Sequence, residues 1–136
     1  MKIGPYINFP GNCLEAVMFY KEVFRTEEPQ IMTFGEMPAD PSYLMPDSVK
    51  ALVANAQLNI NGNTIMLSDV PPGMPFTGGN NITLVITDDD LEEIKRLFNR
   101  LSEEGSVEMQ LQETFWSKAY GSLTDKFGIG WQISAE

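Results

Sequence analysis

Residues 51–67, ALVANAQLNINGNTIML, read as a β-hairpin. Ala51 to Ile60 is rich in strand formers, and Thr64 to Leu67 is the return strand. Between them lies Asn61-Gly62, a dipeptide favoured in two-residue hairpin turns because both positions tolerate positive φ. The rest of the chain is arranged around this hairpin.

Upstream, Lys2 to Phe9 reads as a strand that Pro10-Gly11 breaks. Asn12 is placed to cap a helix, with Glu15 completing a capping-box-like pair, and Leu14, Val17, Met18 and Phe24 recur at helical spacing. A helix over about residues 13 to 24 follows, then a strand from Gln30 to Phe34. Gly35 to Asp47 carries Pro38, Pro41 and Pro46 without periodicity and reads as a long surface loop, either a lid or a passive excursion.

Downstream, Val70 to Pro75 and Gly78-Gly79 resemble a linker between two halves. The second half repeats the order of the first. A strand at Ile82 to Ile86 precedes an Asp-capped helix from about Asp89 to Leu101, in which Leu91, Ile94, Phe98 and Leu101 share one face. Strands follow at Val107 to Leu111, Ala119 to Leu123 and Ile129 to Ile133, with the polar turn Thr124-Asp125-Lys126 before the last. Each half thus reads strand, helix, three strands. The expected class is α+β, with two βαβββ modules, about 1–70 and about 78–136, in one domain of 136 residues.

Composition narrows the function. Hydrophobic residues make up 43% and charged residues 21%, as in globular domains. No apolar run approaches the roughly 20 residues that span a bilayer, and MKIGPYINF lacks the layout of a signal peptide, so a cytoplasmic location is expected. The net charge is −10, and the nine basic residues form no cluster that would neutralise phosphates. Nucleic acid and anionic membrane are therefore unexpected partners; the acidic surface serves solubility first and could also attract a cationic small molecule.

Histidine is absent. That removes the commonest general base near neutral pH and the commonest zinc ligand, and with them serine triads and Cys-His dyads. Acid–base chemistry is left to Asp, Glu, Lys, Tyr, Cys and water. The single cysteine, Cys13, has no disulfide partner in the chain and no histidine to activate it, and is expected to be packed and inert.

Strand alternation separates two faces. Leu52, Ala54, Ala56 and Leu58, then Ile82, Leu84 and Ile86, then Ile129, Trp131 and Ile133, should face the helices. The opposite set holds Asn55, Gln57, Asn81, Thr83 and Gln132. On a flat sheet these amides are a solvated face; on a curled one they line a pocket. Trp116 and Tyr120 are candidates for an aromatic wall or, equally, for core or dimer packing, and Met32, Met37, Met45, Met66 and Met74 for adaptable apolar surface or core filling.

PYINFPGNCLEAVMFYKEVF (5–24), GNTIMLSD (62–69) and above all TFWSKAYGSLTDKFGIGWQI (114–133) resemble PhnB-like proteins of the glyoxalase, bleomycin-resistance and extradiol dioxygenase (vicinal oxygen chelate) superfamily. The resemblance implies two βαβββ modules forming a cupped mixed sheet with helices outside, a ligand pocket within, and a homodimer. Enzymes of this superfamily usually hold a divalent metal through His, Glu or Gln. Carried onto this chain, those positions fall on Pro5 or its neighbour Tyr6, on Met66, on Asn81 and on Gln132. Asn55 and Gln57 occupy the places of a further histidine and glutamate of the PhnB-like branch.

None of these is a histidine or a carboxylate, so no metal cofactor is expected unless Glu36, Asp69 or Glu113 rebuilds a site. The resemblance implies a ligand pocket drawn from Tyr6, Asn55, Gln57, Met66, Asn81, Trp116, Tyr120 and Gln132. Metal-independent small-molecule binding is then the first expectation, comparable to the bleomycin-resistance members that sequester a cationic drug. The alternatives are a glyoxalase-type lyase or isomerase, using a metal, a carboxylate, Tyr6 or Tyr120, and an interaction module with a filled cup. Some relatives carry a demethylubiquinone methyltransferase label, but no glycine-rich loop here suits a nucleotide-like methyl donor, and Gly128-Ile129-Gly130 opens a strand.

Overall fold

The computed structural model describes residues 1–136, which divide into two compact units, Met1–Phe76 and Thr77–Glu136. The division falls inside the proline- and glycine-rich stretch expected as a linker. Each unit is a βαβββ module. The first contains β1 (Tyr6–Phe9), α1 (Cys13–Phe24), β2 (Gln30–Thr33), the short helix α2 (Asp47–Lys50), β3 (Val53–Ile60) and β4 (Asn63–Asp69). The second contains β5 (Thr83–Asp88), α3 (Leu91–Leu101), β6 (Ser106–Gln112), β7 (Ala119–Thr124) and β8 (Gly130–Ala135).

The sheets share one topology: β1-β4-β3-β2 in the first module and β5-β8-β7-β6 in the second. In each, the opening strand pairs parallel with the closing strand and the other neighbours are antiparallel. The internal repeat read from the order of elements is therefore a repeat of strand pairing. No helix is long and apolar enough to cross a membrane.

Each helix covers one face of its own sheet. Helix α1 packs on β3 and β4, burying Ala16, Val17, Tyr20 and Val23 against Ala56, Leu58 and Leu67. Helix α3 packs on β5, β7 and β8, burying Ile94, Leu97, Phe98 and Leu101 against Leu123, Trp131 and Ile133. Glycine is required at Gly121, where an added Cβ would lie 2.7 Å from Phe98 Cε2 and 2.9 Å from the Met109 carbonyl oxygen.

Several expected boundaries move, each for a local reason. β1 starts at Tyr6 rather than Lys2, because Pro5 has no N–H to give the ladder. The loop expected from Gly35 opens as a single turn of 3₁₀ helix over Phe34–Glu36 and closes in α2, which occupies the residues just before β3. Along β3, Met32 pairs with Asn55 but Thr33 pairs with Val53, so Ala54 is an extra residue in a bulge. The bulge reverses the alternation. Val53 is buried, whereas Leu52 and Ala54, assigned to the helix-facing set, are only partly covered. Ile82 precedes β5 and is 78% exposed, so it does not face α3 either.

The cap of α1 is also not the expected one. Asn12 makes no side-chain cap hydrogen bond, and its Oδ1 is buried without a partner. The carboxylate of Asp69, at the end of β4, takes over. Its Oδ1 accepts from the backbone N–H groups of Gly11 (3.1 Å) and Cys13 (2.9 Å), and its Oδ2 accepts from Val53 (2.9 Å). One buried side chain thereby ties the helix entry, β3 and β4 together. In the second module Asp90 caps α3 locally, accepting from the N–H groups of Glu92 and Glu93.

Removing the Asp69 acceptor strands buried donors. Asp69→Asn turns an N–H-bearing amide toward one of them and should lower stability by about 2 to 3 kcal/mol in urea unfolding, whereas Asn12→Ala should change it by less than about 0.5 kcal/mol.

Candidate functional site

The clearest functional geometry lies on the helix-free face of the second module. Along β7, Ala119, Gly121 and Leu123 are buried toward α3, so Tyr120, Ser122 and Thr124 project from the other side. Along β8, Trp131 and Ile133 are buried, and Gln132 and Ser134 project. Tyr120 and Gln132 are diagonal neighbours, because Ser122 sits opposite Gln132. The Tyr120 hydroxyl donates to Gln132 Oε1 at 2.6 Å, and Gln132 Nε2 donates to Thr83 Oγ1 at 2.8 Å. Three strands are thus linked by one side-chain chain. Gly130 makes room for it, since a Cβ there would stand 2.9 Å from Thr83 Cγ2.

These residues line an open cleft of about 480 Å³, together with Asn80, Ile82, Glu108, Ser122 and Thr124. That volume falls in the range of small-molecule sites. Glu108 projects from β6 into the cleft, where its Oε1 accepts from the Thr124 hydroxyl at 2.5 Å. The β7–β8 turn beneath is fixed by buried Asp125: Oδ1 accepts from the N–H groups of Phe127 and Ile129, and Oδ2 from the Trp131 indole N–H at 2.9 Å.

Trp116 stands beside Tyr120, their rings tilted edge to face with centroids 5.4 Å apart, and Phe115 packs edge-on against Trp116 at 4.7 Å. Trp116 is 57% exposed and Phe115 97%. Buried Ser117 anchors this exposed pair from below. Its Oγ lies 2.8 Å from the carbonyl oxygens of Ala119 and Ala135 and accepts from the Ser134 hydroxyl at 2.9 Å.

Tyr6, Asn55, Gln57 and Met66 come together on the helix-free face of the first module. Tyr6 and Gln57 flank Met66 on neighbouring strands, and the Asn55 amide donates to the Tyr6 hydroxyl at 3.4 Å. Trp116, Tyr120 and Gln132 gather in the second module. Asn81 lies before β5, exposed, and is not among the residues lining the cleft; Thr83 is the partner that Gln132 uses. Sequence reading left Ser122, Thr124 and Glu108 out of the site. The first two were findable by extending the alternation from Tyr120. Glu108 was not, because register shifts on β6 erase its period.

The donor set on these faces does not fit a divalent ion. Tyr6, Met66, Thr83 and Gln132 offer a phenol, a thioether, an alcohol and an amide, all neutral, where hard cations need anionic oxygen and zinc or nickel needs imidazole or thiolate. The three carboxylates that might compensate are elsewhere. Asp69 is occupied by backbone N–H groups, Glu36 accepts from the Thr33 hydroxyl on the surface, and Glu113 lies in the exposed loop with Trp116 and Lys118. No three Cys, Asp or Glu side chains converge in a way that would hold a metal.

Cys13 is fully buried in α1. Burial, reinforced by the negative charge of Asp69, pushes its thiol up to about 12. The thiolate is the nucleophile, so Cys13 is not a catalytic group at neutral pH.

A repeated βαβββ module with a helix-free polar sheet face defines the architecture of the vicinal oxygen chelate superfamily, and known proteins agree. Residues 1–134 match the family described as 3-demethylubiquinone-9 3-methyltransferase. Protein YjdN of Escherichia coli (strain K12) is 38% identical over 141 residues, spanning 98% of this chain and 95% of that protein. Among solved structures, protein PA1353 from Pseudomonas aeruginosa has a TM-score of 0.88 at 34% identity, covering 100% of this chain and 98% of its own. The PhnB protein from Bacillus cereus has a TM-score of 0.73 at 28% identity, with 100% of both chains covered. A glyoxylase/bleomycin resistance protein/dioxygenase domain from Frankia sp. EAN1pec shares the fold alone, with a TM-score of 0.66 at 13% identity over 99% of this chain and 96% of that one. The chain belongs to the 3-demethylubiquinone-9 3-methyltransferase family, the PhnB-like branch of this fold.

Two outcomes follow from the site chemistry. Protein purified without chelator and dialysed against Ni²⁺, Zn²⁺ or Mn²⁺ should retain far less than one equivalent by elemental analysis; a stoichiometric ion would contradict the fit described above. The folded protein also keeps the Cys13 proton where the unfolded chain, with a thiol near its ordinary 9.0, releases it. The stability tied to that proton is complete below pH 9.0 and is lost as pH rises toward about 12. At pH 8, iodoacetamide should label native Cys13 at least about a hundredfold more slowly than the urea-unfolded chain.

Proposed function

We propose that this chain is a small-molecule-binding protein. It takes its ligand on the polar face of the second module through hydroxyl, amide and aromatic groups, without a tightly held divalent metal. The observation that carries this reading is the Tyr120–Gln132–Thr83 chain at the cleft. Three side chains that would otherwise move independently are ordered in advance, which lowers the entropic cost of ordering them around a ligand. Gln132 keeps an amide N–H and Tyr120 its oxygen lone pairs for that ligand.

The net charge of −10 favours small molecules over polyanionic partners. The cleft does not favour the methyl transfer named in the family's description. Gly128 and Gly130 flank the turn into β8, a strand, so the cleft offers no glycine-rich helix N-terminus for the phosphates or carboxylate of a nucleotide-like donor.

Thermal-shift screening followed by calorimetry, using a metabolite and glycopeptide library, tests the proposal. At least one ligand should raise the melting temperature of the wild type, and Gln132→Ala or Tyr120→Phe should weaken its binding by about two- to tenfold, the worth of one neutral hydrogen bond. Silence across the library, or binding indifferent to both substitutions, would overturn it.

A further inference from the structure

We infer that this cleft selects an elongated amine, with an ammonium group against Glu108 at one end and an apolar or aromatic body against Tyr120 and Trp116 at the other. The inference rests on the small-molecule reading above and names the ligand class.

Charge is the first reason. Glu108 is the only acidic residue lining the cleft, and no lysine or arginine lines it. The contact made by the Glu108 carboxylate is with a neutral hydroxyl, that of Thr124, and it forms no salt bridge. The nearest basic side chain in sequence to that end of β7, Lys126, lies 3.4 Å from Glu104 and packs over the Phe127 ring. An uncompensated carboxylate at a partly enclosed surface, on a chain of net charge −10, gives the cleft a negative potential that a bound cation relieves.

Geometry is the second reason. Tyr120 and Thr124 lie on the same face of β7, four residues apart, which places their backbones about 13 Å apart at the usual strand rise. Thr124 holds Glu108 at one end of this line, and the Trp116 ring meets Tyr120 at the other. The exposed Ile82 side chain adds apolar lining. Tyr120 gives its proton to Gln132, so its oxygen faces the ligand as an acceptor, again suited to an N–H donor. A compact cation would meet only the Glu108 end and a neutral aromatic only the Trp116 end. A ligand joining both features along the strand meets the two together.

The probes are ω-phenylalkylamines of increasing chain length, each paired with the matched neutral phenylalkanol, titrated by calorimetry. Tryptophan emission gives a second readout, because Trp116 is 57% exposed beside Tyr120. Amines should bind the wild type about fivefold more tightly than the alcohols, a preference sized for a partly solvated ion pair and shrinking with added salt. Glu108→Gln should weaken amine binding and abolish the preference for amines over the matched alcohols. Trp116→Ala should weaken both series and remove the emission change.

Equal binding of amines and alcohols by the wild type would overturn the amine selection and leave small-molecule binding standing. Amine affinity unaffected by Trp116→Ala would overturn the aromatic end. Absence of binding by every amine would overturn the inference as a whole, and only a silent wider library would overturn the reading beneath it.

Discussion

One helix covers one face of a four-stranded sheet and no more. In each module α1 or α3 takes the apolar side of the pleat, and the residues of opposite parity are left to solvate, to bind or to satisfy one another. The close approach of α3 at Gly121 makes this a firm boundary in the second module. Leu123, Trp131 and Ile133 are held against the helix, so the direction of Tyr120, Ser122, Thr124 and Gln132 is set by packing on the far side of the sheet. The orientation of this polar face is set by the core packed behind it.

Two buried acids secure the seams of these layers. Asp69 accepts three backbone N–H groups where α1, β3 and β4 meet, and Asp125 accepts two backbone N–H groups and the Trp131 indole N–H at the β7–β8 turn. A buried carboxylate is tolerated when charge-assisted hydrogen bonds replace its hydration, and each of these has a full set. Glu108 differs in kind. It is exposed to the cleft with a single hydroxyl partner, and that contrast separates an acid serving the fold from one available to a ligand.

Much of this was legible in the sequence because it rests on local periodicity. The Asn61-Gly62 turn has positive φ at both residues, α1 spans the residues its spacing implied, and the strand–helix–strand–strand–strand order recurs. Features that failed to show depend on contacts distant in sequence or on a broken period. Asp69 reaches α1 across 56 residues, which nothing in the local pattern of Asn12 and Glu15 reveals. The bulge at Ala54 reverses which residues of β3 are buried, and the shifts along β6 conceal Glu108. Within the site, the pairing of Tyr120 with Gln132 follows from strand register, and the choice of Thr83 over Asn81 follows from where β5 begins.

A polar sheet face built from phenols, amides and alcohols must organise itself. A divalent ion fixes several side chains at once through bonds to a common centre; neutral phenols, amides and alcohols can achieve order only by pairing with each other. The two modules do this unequally. In the first, the Asn55–Tyr6 contact is long at 3.4 Å, and Met66 between Tyr6 and Gln57 adds no strong donor or acceptor. In the second, contacts of 2.6 and 2.8 Å lock Tyr120, Gln132 and Thr83 across three strands. Equivalent topology has therefore produced unequal preorganisation, and the module whose polar groups are already fixed is the one that loses least on ordering around a ligand.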